Sequence, residues 1–196
     1  MLVVIVITLI IIVVGVAAYF TLLRPSRVGG DLDALVRSLI GDVPKELTVR
    51  SNAFRVGGAI PIKYTCDGTD TSPPLSWSGY PEAKYYAVIM VDPDAPRGVF
   101  IHWILYNIPT SINSLNEGIA KKGVVEGLGL QSKNHFGKVG YGGPCPPKGE
   151  VHRYVVIVVA LKDEVKKPPA SSPEDVLNEI RRLALAYGYT YGVYGR

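Results

Sequence analysis

The hydrophobic pattern begins with an apolar stretch that no charged residue interrupts. From Leu2 to Leu23, only two threonines and one glycine break the run of apolar side chains. A helix of roughly 20 such residues is long enough to cross a bilayer. The alternative is a cleaved signal peptide, but nothing basic precedes the stretch, which exceeds the roughly 7–15 apolar residues expected there. We therefore predict a transmembrane anchor over residues 1–23 and a single-pass membrane localisation.

Residues 24–46 show a second pattern, with helical spacing. Pro25 and Gly29-Gly30 end the apolar stretch, and five apolar residues then recur on one helical face. These residues are Leu32, Leu35, Val36, Leu39 and Ile40. Asp31 is a candidate N-cap and Gly41 a candidate end of the helix. We predict a juxtamembrane connector that contains a short amphipathic helix.

From residue 47 onward the chain consists of short apolar segments separated by glycine and proline. Such segments are typical of strands bounded by turns. We predict strands at Leu47–Phe54, Ile60–Thr65, Tyr85–Val91, Ile101–Ile108 and Val151–Leu161. No helical pattern lies between successive strands, as parallel crossovers would require, so a sheet sandwich is favoured over a βαβ fold. Residues 47–196 are therefore assigned to one mainly-β domain.

The segment 109–150 is rich in glycine and proline and has no long periodic element. A connection of this length inside a compact domain is usually functional or disordered. Its end, Gly140–Gly149, combines glycine and proline with aromatic residues and few charges. Disordered segments are more polar than this. We therefore expect the segment to contribute to a functional site.

A helix is predicted near the end of the chain. Ser172 is a candidate N-cap, Pro173 suits the first helical position, and Asp175 completes the start signal. Apolar residues then follow one face as far as Tyr187, and Gly188 is predicted to end the helix.

The charge of the chain is mildly basic. The 196 residues carry a formal net charge of +4. The lysine pairs Lys121-Lys122 and Lys166-Lys167 are isolated, and no longer basic run indicates a nucleic-acid partner. A mildly basic domain does suit anionic lipid head groups.

Two of the three histidines begin predicted strands. His102 follows the loop after Asp92, and His152 follows the glycine- and proline-rich segment. Residues i and i+2 of a strand share a face, so His152 and Tyr154 point the same way. If the strands at 85–91 and 101–108 are antiparallel neighbours, Asp92 and His102 lie at the same end of the sheet. We predict that these four side chains form a cluster. The alternative for each histidine alone is an interior residue with its hydrogen bonds satisfied.

The loop after Asp92 is predicted to be stiff. Pro93 and Pro96 fix backbone φ angles and remove two donors. A stiff loop holds the Asp92 carboxylate in place at low entropic cost. Asp94 is expected to point inward and to bond loop amides. Pro93, Asp94 and Pro96 are thus predicted to structure the loop.

These residues lie in two motifs that resemble those of a known family. The first is Asp92-Pro93-Asp94-Ala95-Pro96 with His102-Trp103, and the second is Gly142-Gly143-Pro144-Cys145-Pro146-Pro147 with His152-Arg153-Tyr154. They closely resemble the two signature blocks of the phosphatidylethanolamine-binding protein family, which includes Raf kinase inhibitor-like proteins of bacteria and archaea. Residues 64–68, 72–75 and 77 also resemble that family. The resemblance covers roughly 47–196 in the right order.

The resemblance implies a Greek-key β-sandwich with peripheral helices and a pocket for phosphate-like anions. It places seven residues at this pocket: Asp92, His102, Gly143, Pro144, His152, Tyr154 and, near the mouth, Tyr194. Imidazole N–H, tyrosine O–H and backbone N–H groups of a glycine-rich turn are donors that suit phosphate oxygens. Asp92 is an acceptor, so we expect it to orient a histidine or to meet the amine of a phosphoethanolamine head group.

Cys66 and Cys145 both lie in loops that carry these motifs. A disulfide that braces the pocket rim and a pair of buried thiols are both compatible with the sequence, because the Cα separation decides between them. Arg24 and Arg27 favour a cytoplasmic domain. A disulfide instead favours an oxidising compartment or a hyperthermophile cytosol, so the side of the membrane stays open. The histidines are poorly placed to complete a structural zinc site with the two cysteines.

Together these observations predict a membrane-anchored protein that binds phosphate-like anions, phospholipid head groups or phosphorylated small molecules, without a cofactor. The alternative is an inhibitor or regulator of a protease or kinase partner, as some members of the family are described. An enzyme that uses His102 or His152 as a general base ranks lowest, because no activated nucleophile is visible. Members of the family can pair, so a homodimer is one expected assembly.

Overall fold

The protein was analysed as a computed structural model, which describes the backbone of residues 28–196 and the side chains from Leu32 onward. Residues 35–196 form one compact unit that contains all the strands described below. Helix α1 spans Val28–Ile40 and helix α2 spans Pro173–Leu183. The start of α1 differs from the prediction, because the helix begins before Asp31. Its predicted end, immediately before Gly41, is confirmed.

The predicted membrane anchor requires a correction. Among residues 28–196, no helix combines the length and the apolar composition that a bilayer crossing requires. The longer of the two helices, α1, has 13 residues, whereas a crossing takes roughly 20. This finding contradicts the predicted transmembrane helix and the single-pass membrane localisation, and both are withdrawn. The stretch on which they were based, residues 1–23, lies outside the described residues.

A six-stranded antiparallel sheet forms the larger layer of the domain. Its strands, in spatial order, are β6 (Val124–Val125), β7 (Gly129–Gln131), β4 (Phe100–Pro109), β3 (Tyr85–Asp92), β8 (Val151–Leu161) and β9 (Ala184–Gly195). The three long apolar segments of the sequence are therefore strands, as predicted. The bounds of β8 agree with the prediction at both ends, and those of β3 and β4 agree within one residue.

A small three-stranded sheet forms the second layer, and here the strand predictions were partly wrong. It contains β1 (Val49–Arg50), β2 (Leu75–Trp77) and β5 (Ser114–Leu115) in the order β1-β2-β5. The segment predicted as a strand at Ile60–Thr65 is instead a 3-10 helix over Ile62–Tyr64. Its backbone groups are satisfied locally, since the amides of Tyr64 and Thr65 bond to the carbonyls of Pro61 and Ile62. Local turn bonds of this kind compete with pairing in a sheet.

The two sheets pack face to face through one hydrophobic core. Residues i and i+2 of a strand share a face, so Tyr86, Val88 and Met90 of β3 point into this core. Trp77 of β2 meets Tyr86 edge to face, with ring centroids 5.8 Å apart. The opposite face of the large sheet is also buried, and α2 contacts β4 and β8 there. A sheet covered on both sides explains why β3 and β8 are apolar at nearly every position.

The C-terminal segment differs from the prediction. Ser172 does cap α2, because its hydroxyl accepts the Asp175 amide. The helix ends at Leu183, however, and the segment that was predicted to continue it to Tyr187 begins strand β9. Strand β9 pairs with β8 along its whole length. Its pairing with a strand distant in sequence overrides the local helical spacing.

Gly188 allows another part of the chain to lie directly against β9. A Cβ atom at this position would be 2.0 Å from the carbonyl oxygen of Leu47. The amide of Leu47 bonds to the carbonyl of Tyr187, 3.0 Å away, so the approach of the two backbones is held by a hydrogen bond.

We expect Gly188→Ala to lower the free energy of unfolding by about 2 kcal/mol, because the added methyl group forces the two backbones apart. The measurement is urea denaturation followed by circular dichroism. Gly79→Ala is the matched control, since a Cβ atom there meets nothing within 4 Å. Equal effects of the two substitutions would contradict the packing argument.

Candidate ligand-binding site

The candidate site lies where three strands of the large sheet begin or end. In the antiparallel register of β3 and β8, Val91 pairs with Val155. One position further along, Asp92 comes opposite Tyr154 and diagonal to His152. Diagonal neighbours are within reach of long side chains. The pairing of β3 and β8 therefore brings Asp92 to His152.

A β-bulge aims His102 at the same place. The register between β3 and β4 shifts by one residue at Met90–Val91, which leaves His102 as an extra residue in β4. Consecutive strand residues normally point to opposite faces, and a bulge can re-aim one of them. As a result His102 and Trp103 both contact rings of the core face. His102 lies 5.2 Å from Tyr154 and Trp103 lies 5.6 Å from Tyr141, between ring centroids.

His152 is held between two carboxylates. Its Nδ1 lies 2.7 Å from Oδ2 of Asp92, and its Nε2 lies 2.9 Å from Oε2 of Glu150. Ionised carboxylates only accept hydrogen bonds, so both ring nitrogens carry protons and the ring is an imidazolium. The second oxygen of Asp92 accepts the amide of Asp94 at 2.8 Å. His152 consequently has no ring N–H left for a ligand while Glu150 stays in place.

The same contacts determine the charge of this group. Burial opposes a charged ring, but the hydrogen bonds to Asp92 and Glu150 outweigh it and raise the pKa of His152. Together, one imidazolium and two carboxylates carry one net negative charge. The side chains of His152 and Asp92 are only 4% and 5% exposed, whereas that of Glu150 is 51% exposed.

His102 has the opposite character. Its Nδ1 lies 2.7 Å from the carbonyl oxygen of Gly142, so Nδ1 carries the proton and donates it. Burial lowers the pKa of His102, which keeps the ring neutral at neutral pH. In that form Nε2 is an acceptor, and it has no hydrogen-bond partner within residues 32–196. Phe100 and Phe136 flank the ring at 4.9 and 5.4 Å between centroids.

A cavity of about 310 Å³ opens between these groups. Its wall combines two histidines and a buried carboxylate with apolar rings, a proline-rich loop and one arginine. The lining residues are Asp92, Ala95, Pro96, Phe100, His102, Phe136, Cys145, Pro146, Pro147, His152 and Arg196. A partly apolar cavity with a few convergent polar groups is the usual form of a small-ligand site.

Arg196 supplies a cation to this wall. Its guanidinium lies 2.9 Å from Asp67 and its side chain is 29% exposed. The backbone of Arg196 is held beside the turn that follows Pro147, because the amide of Gly149 donates to its carbonyl oxygen at 2.8 Å. No periodic pattern or motif of the sequence includes Arg196, so it was not among the predicted site residues.

Comparisons with known proteins agree with this architecture. The sequence model of one family, described as phosphatidylethanolamine-binding protein, matches residues 50–195. The chain belongs to the phosphatidylethanolamine-binding protein family. A UPF0098 protein of Methanothermobacter thermautotrophicus is 42% identical over 151 residues, which cover 76% of this chain and 99% of that protein.

Solved structures of the family are similar in fold. A phosphatidylethanolamine-binding protein homologue of Chlamydia trachomatis, CT736, superposes with a TM-score of 0.69 at 34% identity, covering 78% of this chain and 99% of that chain. Escherichia coli YbcL, described as a member of the mammalian family, gives the same TM-score and identity over 77% of this chain and 99% of that chain. The family description is that of a ligand-binding protein.

Four residues that the family resemblance placed at the pocket do not line the cavity. Tyr154 is fully buried beside the ring of His102, and within residues 32–196 no group meets the hydrogen-bond geometry for its hydroxyl. Burial raises its pKa far above the ordinary value. The hydroxyl of Tyr194 donates to Asp67 at 2.7 Å. Tyr154 and Tyr194 thus support the wall of the cavity and do not form part of it.

Gly143 and Pro144 lie behind the wall, one residue before the part of the loop that forms it. The amide of Gly143 donates to Oδ1 of Asp70 at 2.6 Å. A Cβ atom on Gly143 would be 2.5 Å from the carbonyl oxygen of Tyr64, so only glycine fits between these loops. The carbonyl of Pro144 accepts the amide of Cys66 at 3.1 Å. Both residues thus join the second motif to the loop around Cys66.

Asp94 structures the first motif. Its Oδ2 accepts the amide of Arg153 at 2.8 Å and its Nε at 2.9 Å. The Arg153 guanidinium holds the pKa of this carboxyl below its ordinary value. Arg153 points away from His152, as alternation along β8 predicts. Asp94 therefore anchors the Pro93–Pro96 loop to β8 just behind the cavity.

A disulfide joins the two motif-bearing loops. Cys66 and Cys145 are bonded, with a Cα–Cα distance of 5.4 Å and a separation of 79 positions in the sequence. Cys145 lines the cavity, and Nη1 of Arg196 lies 3.6 Å from its sulfur. The bond therefore braces the rim on the side of the arginine. Within residues 32–196, including the cavity, no group of three or more His, Cys, Asp or Glu side chains is arranged to hold a metal ion.

We expect His152 to titrate above pH 6.5 and His102 below it, in ring NMR signals followed against pH. Asp92→Asn should lower the pKa of His152, because it removes one of the two carboxylates. Asp163→Asn, on the exposed loop after β8, is the control. Because folding raises the pKa of His152, its contribution to stability is fully present below pH 6.5 and is lost as the pH rises through the folded-state value. A His152 that titrates below pH 6.5 would contradict the imidazolium assignment.

Reduction of the disulfide should lower the free energy of unfolding by about 4 kcal/mol, because a long loop is released in the unfolded chain. Urea denaturation with and without a dithiol reductant measures the change. The double variant Cys66→Ser/Cys145→Ser should show the lower stability under both conditions. A reductant effect of similar size in that variant would show that the disulfide is not the cause.

Proposed function

We propose that the protein binds small molecules that carry a phosphate group, such as a phospholipid head group or a phosphorylated metabolite, in the cavity between His102 and Arg196. The observation that supports this most directly is that one cavity is lined by an arginine and by a histidine whose Nε2 has no hydrogen-bond partner within residues 32–196. A guanidinium forms strong charge-assisted hydrogen bonds to phosphate oxygens. The name of the matching family, phosphatidylethanolamine-binding protein, agrees with a ligand of this kind.

The size of the cavity limits what part of a ligand enters it. A volume of about 310 Å³ is at the lower end of the range for small-molecule sites. It suits a head group and excludes a complete phospholipid. Phe100 and Phe136 offer apolar surface to the carbon atoms of such a group.

The protonation state of His102 determines how a phosphate can meet it. The neutral ring presents an acceptor at Nε2, which repels a bare phosphate oxygen and accepts a phosphate O–H. The ligand therefore binds either as the monoanion, with its O–H donated to Nε2, or together with a proton taken up by His102. In both cases one proton lies between the ring and the phosphate.

The role of Asp92 follows from its contacts. Both of its oxygens accept hydrogen bonds, from His152 and from the amide of Asp94. We assign to Asp92 the first of its two expected roles, the orientation of a histidine. The alternative function, inhibition of a protease or kinase, has no support in the descriptions of the similar proteins.

We expect Arg196→Gln to weaken binding of inorganic phosphate by about tenfold or more, because one charge-assisted contact is lost. Isothermal titration calorimetry on the full-length protein measures the dissociation constant. Arg182→Gln, on the exposed side of α2, removes the same charge away from the cavity and serves as the control. His102→Ala should also weaken binding. Phosphate binding that neither cavity substitution changes would place the ligand elsewhere and reject the proposed function.

A further inference from the structure

Glu150 makes a contact that the proposed function leaves unexplained. One imidazolium needs one carboxylate for charge balance, and Asp92 already supplies it at 2.7 Å. Glu150 occupies the remaining N–H of His152, at 2.9 Å. This N–H is the one that His152 could offer to an anion in the cavity, because His152 lines the cavity and its other ring nitrogen is bonded to Asp92.

The two carboxylates differ in their freedom to leave. Asp92 is almost fully buried and has a partner on each oxygen. Glu150 is 51% exposed, and apart from His152 its carboxylate has no other partner in the described chain. Moving Asp92 would leave a buried charge without its partners, which is costly. Moving Glu150 only returns an exposed carboxylate to water.

The backbone keeps Glu150 beside the cavity when its side chain moves. Its amide donates to the carbonyl of Pro147 at 3.2 Å, and its carbonyl accepts the amide of Arg196 at 3.4 Å. Pro147 and Arg196 both line the cavity. A side chain released from His152 therefore stays at the rim, within reach of the outer end of a bound molecule.

We propose that Glu150 is a specificity-determining residue. Its carboxylate competes with bare anions for the Nε2–H of His152. When a zwitterionic ligand displaces this carboxylate from His152, the carboxylate pairs with the cationic group of that ligand. The inference rests on the proposed function and adds to it a residue that sets the preference among phosphate-bearing ligands. Bare phosphate must displace the Glu150 carboxylate from His152 and offers it no new partner. Phosphoethanolamine displaces it with the phosphate and offers it an ammonium partner.

The test compares inorganic phosphate with phosphoethanolamine on the full-length protein by isothermal titration calorimetry. Glu150→Gln should bind inorganic phosphate about tenfold more tightly than the unaltered protein, because the competitor loses its charge. The same substitution should leave phosphoethanolamine affinity unchanged or reduced. The preference for the zwitterion, expressed as the ratio of the two dissociation constants, should therefore fall by about tenfold or more. Glu150→Ala removes the competing group altogether and should act in the same direction.

The control is Glu164→Gln, which makes the same change of net charge beyond the far end of β8. Equal tightening of phosphate by both glutamine variants would indicate a long-range charge effect and overturn the inference. If Glu150→Gln leaves the ratio of the two dissociation constants unchanged, the inference about Glu150 is overturned. The proposed function would still stand in that case, provided that the unaltered protein binds either ligand. If only Glu150→Gln binds phosphate, both the proposed function and the inference about Glu150 are supported, because Glu150 then prevents phosphate binding in the unaltered protein. Binding of neither ligand to any of the proteins would reject the proposed function and this inference together.

Discussion

The antiparallel pairing of β3 with β8 is the constraint on which the rest of the structure depends. These strands lie at the centre of the large sheet, and both faces of the sheet are covered. Side chains buried on both sides leave little freedom to slip, since a shift of one residue would reverse the direction of every side chain. The register that results places Asp92 at the end of one strand beside His152 at the start of the other. The charged pair of the site is thus positioned by the packing of its apolar neighbours.

The two histidines of the cavity divide the electrostatic roles. The pKa of His152 is raised because two carboxylates outweigh the effect of burial, and that of His102 is lowered because burial outweighs the carbonyls of Gly142 and Gly143 and the charge of Asp92. The wall of the cavity thus combines a neutral acceptor at His102 with the guanidinium of Arg196, beside a group around His152 that carries one net negative charge. This arrangement of charges is the basis of the ligand preference proposed above.

The long connection between β4 and β8 contains the short strands β5, β6 and β7, and side-chain hydrogen bonds order much of the rest. Gln131 accepts the indole N–H of Trp103 at 2.7 Å and donates to the carbonyls of Ala120 and Lys122 at 2.7 and 2.8 Å. The hydroxyl of Tyr141 donates to the carbonyl of Tyr64 at 2.6 Å. With the disulfide, these contacts hold the proline-rich loop against the cavity. Buried backbone groups need partners of this sort wherever a ladder is missing.

The sequence by itself determined the central strands and the cap of α2, and it placed Asp92, His102 and His152 at the ends of strands. Each of these follows from the order of residues within one segment, through apolar runs, a capping serine and the ends of strands. Only the tertiary structure decided the bulge at His102, the strand β9, the place of Arg196 and the engagement of His152 by Glu150. The spacing of residues 184–187 fits a helix, yet the unpaired edge of β8 offers those residues a complete hydrogen-bond ladder. A local sequence pattern reflects only the conformational preference of its own segment. Pairing with residues distant in sequence can outweigh that preference, and the local pattern contains no information about those residues.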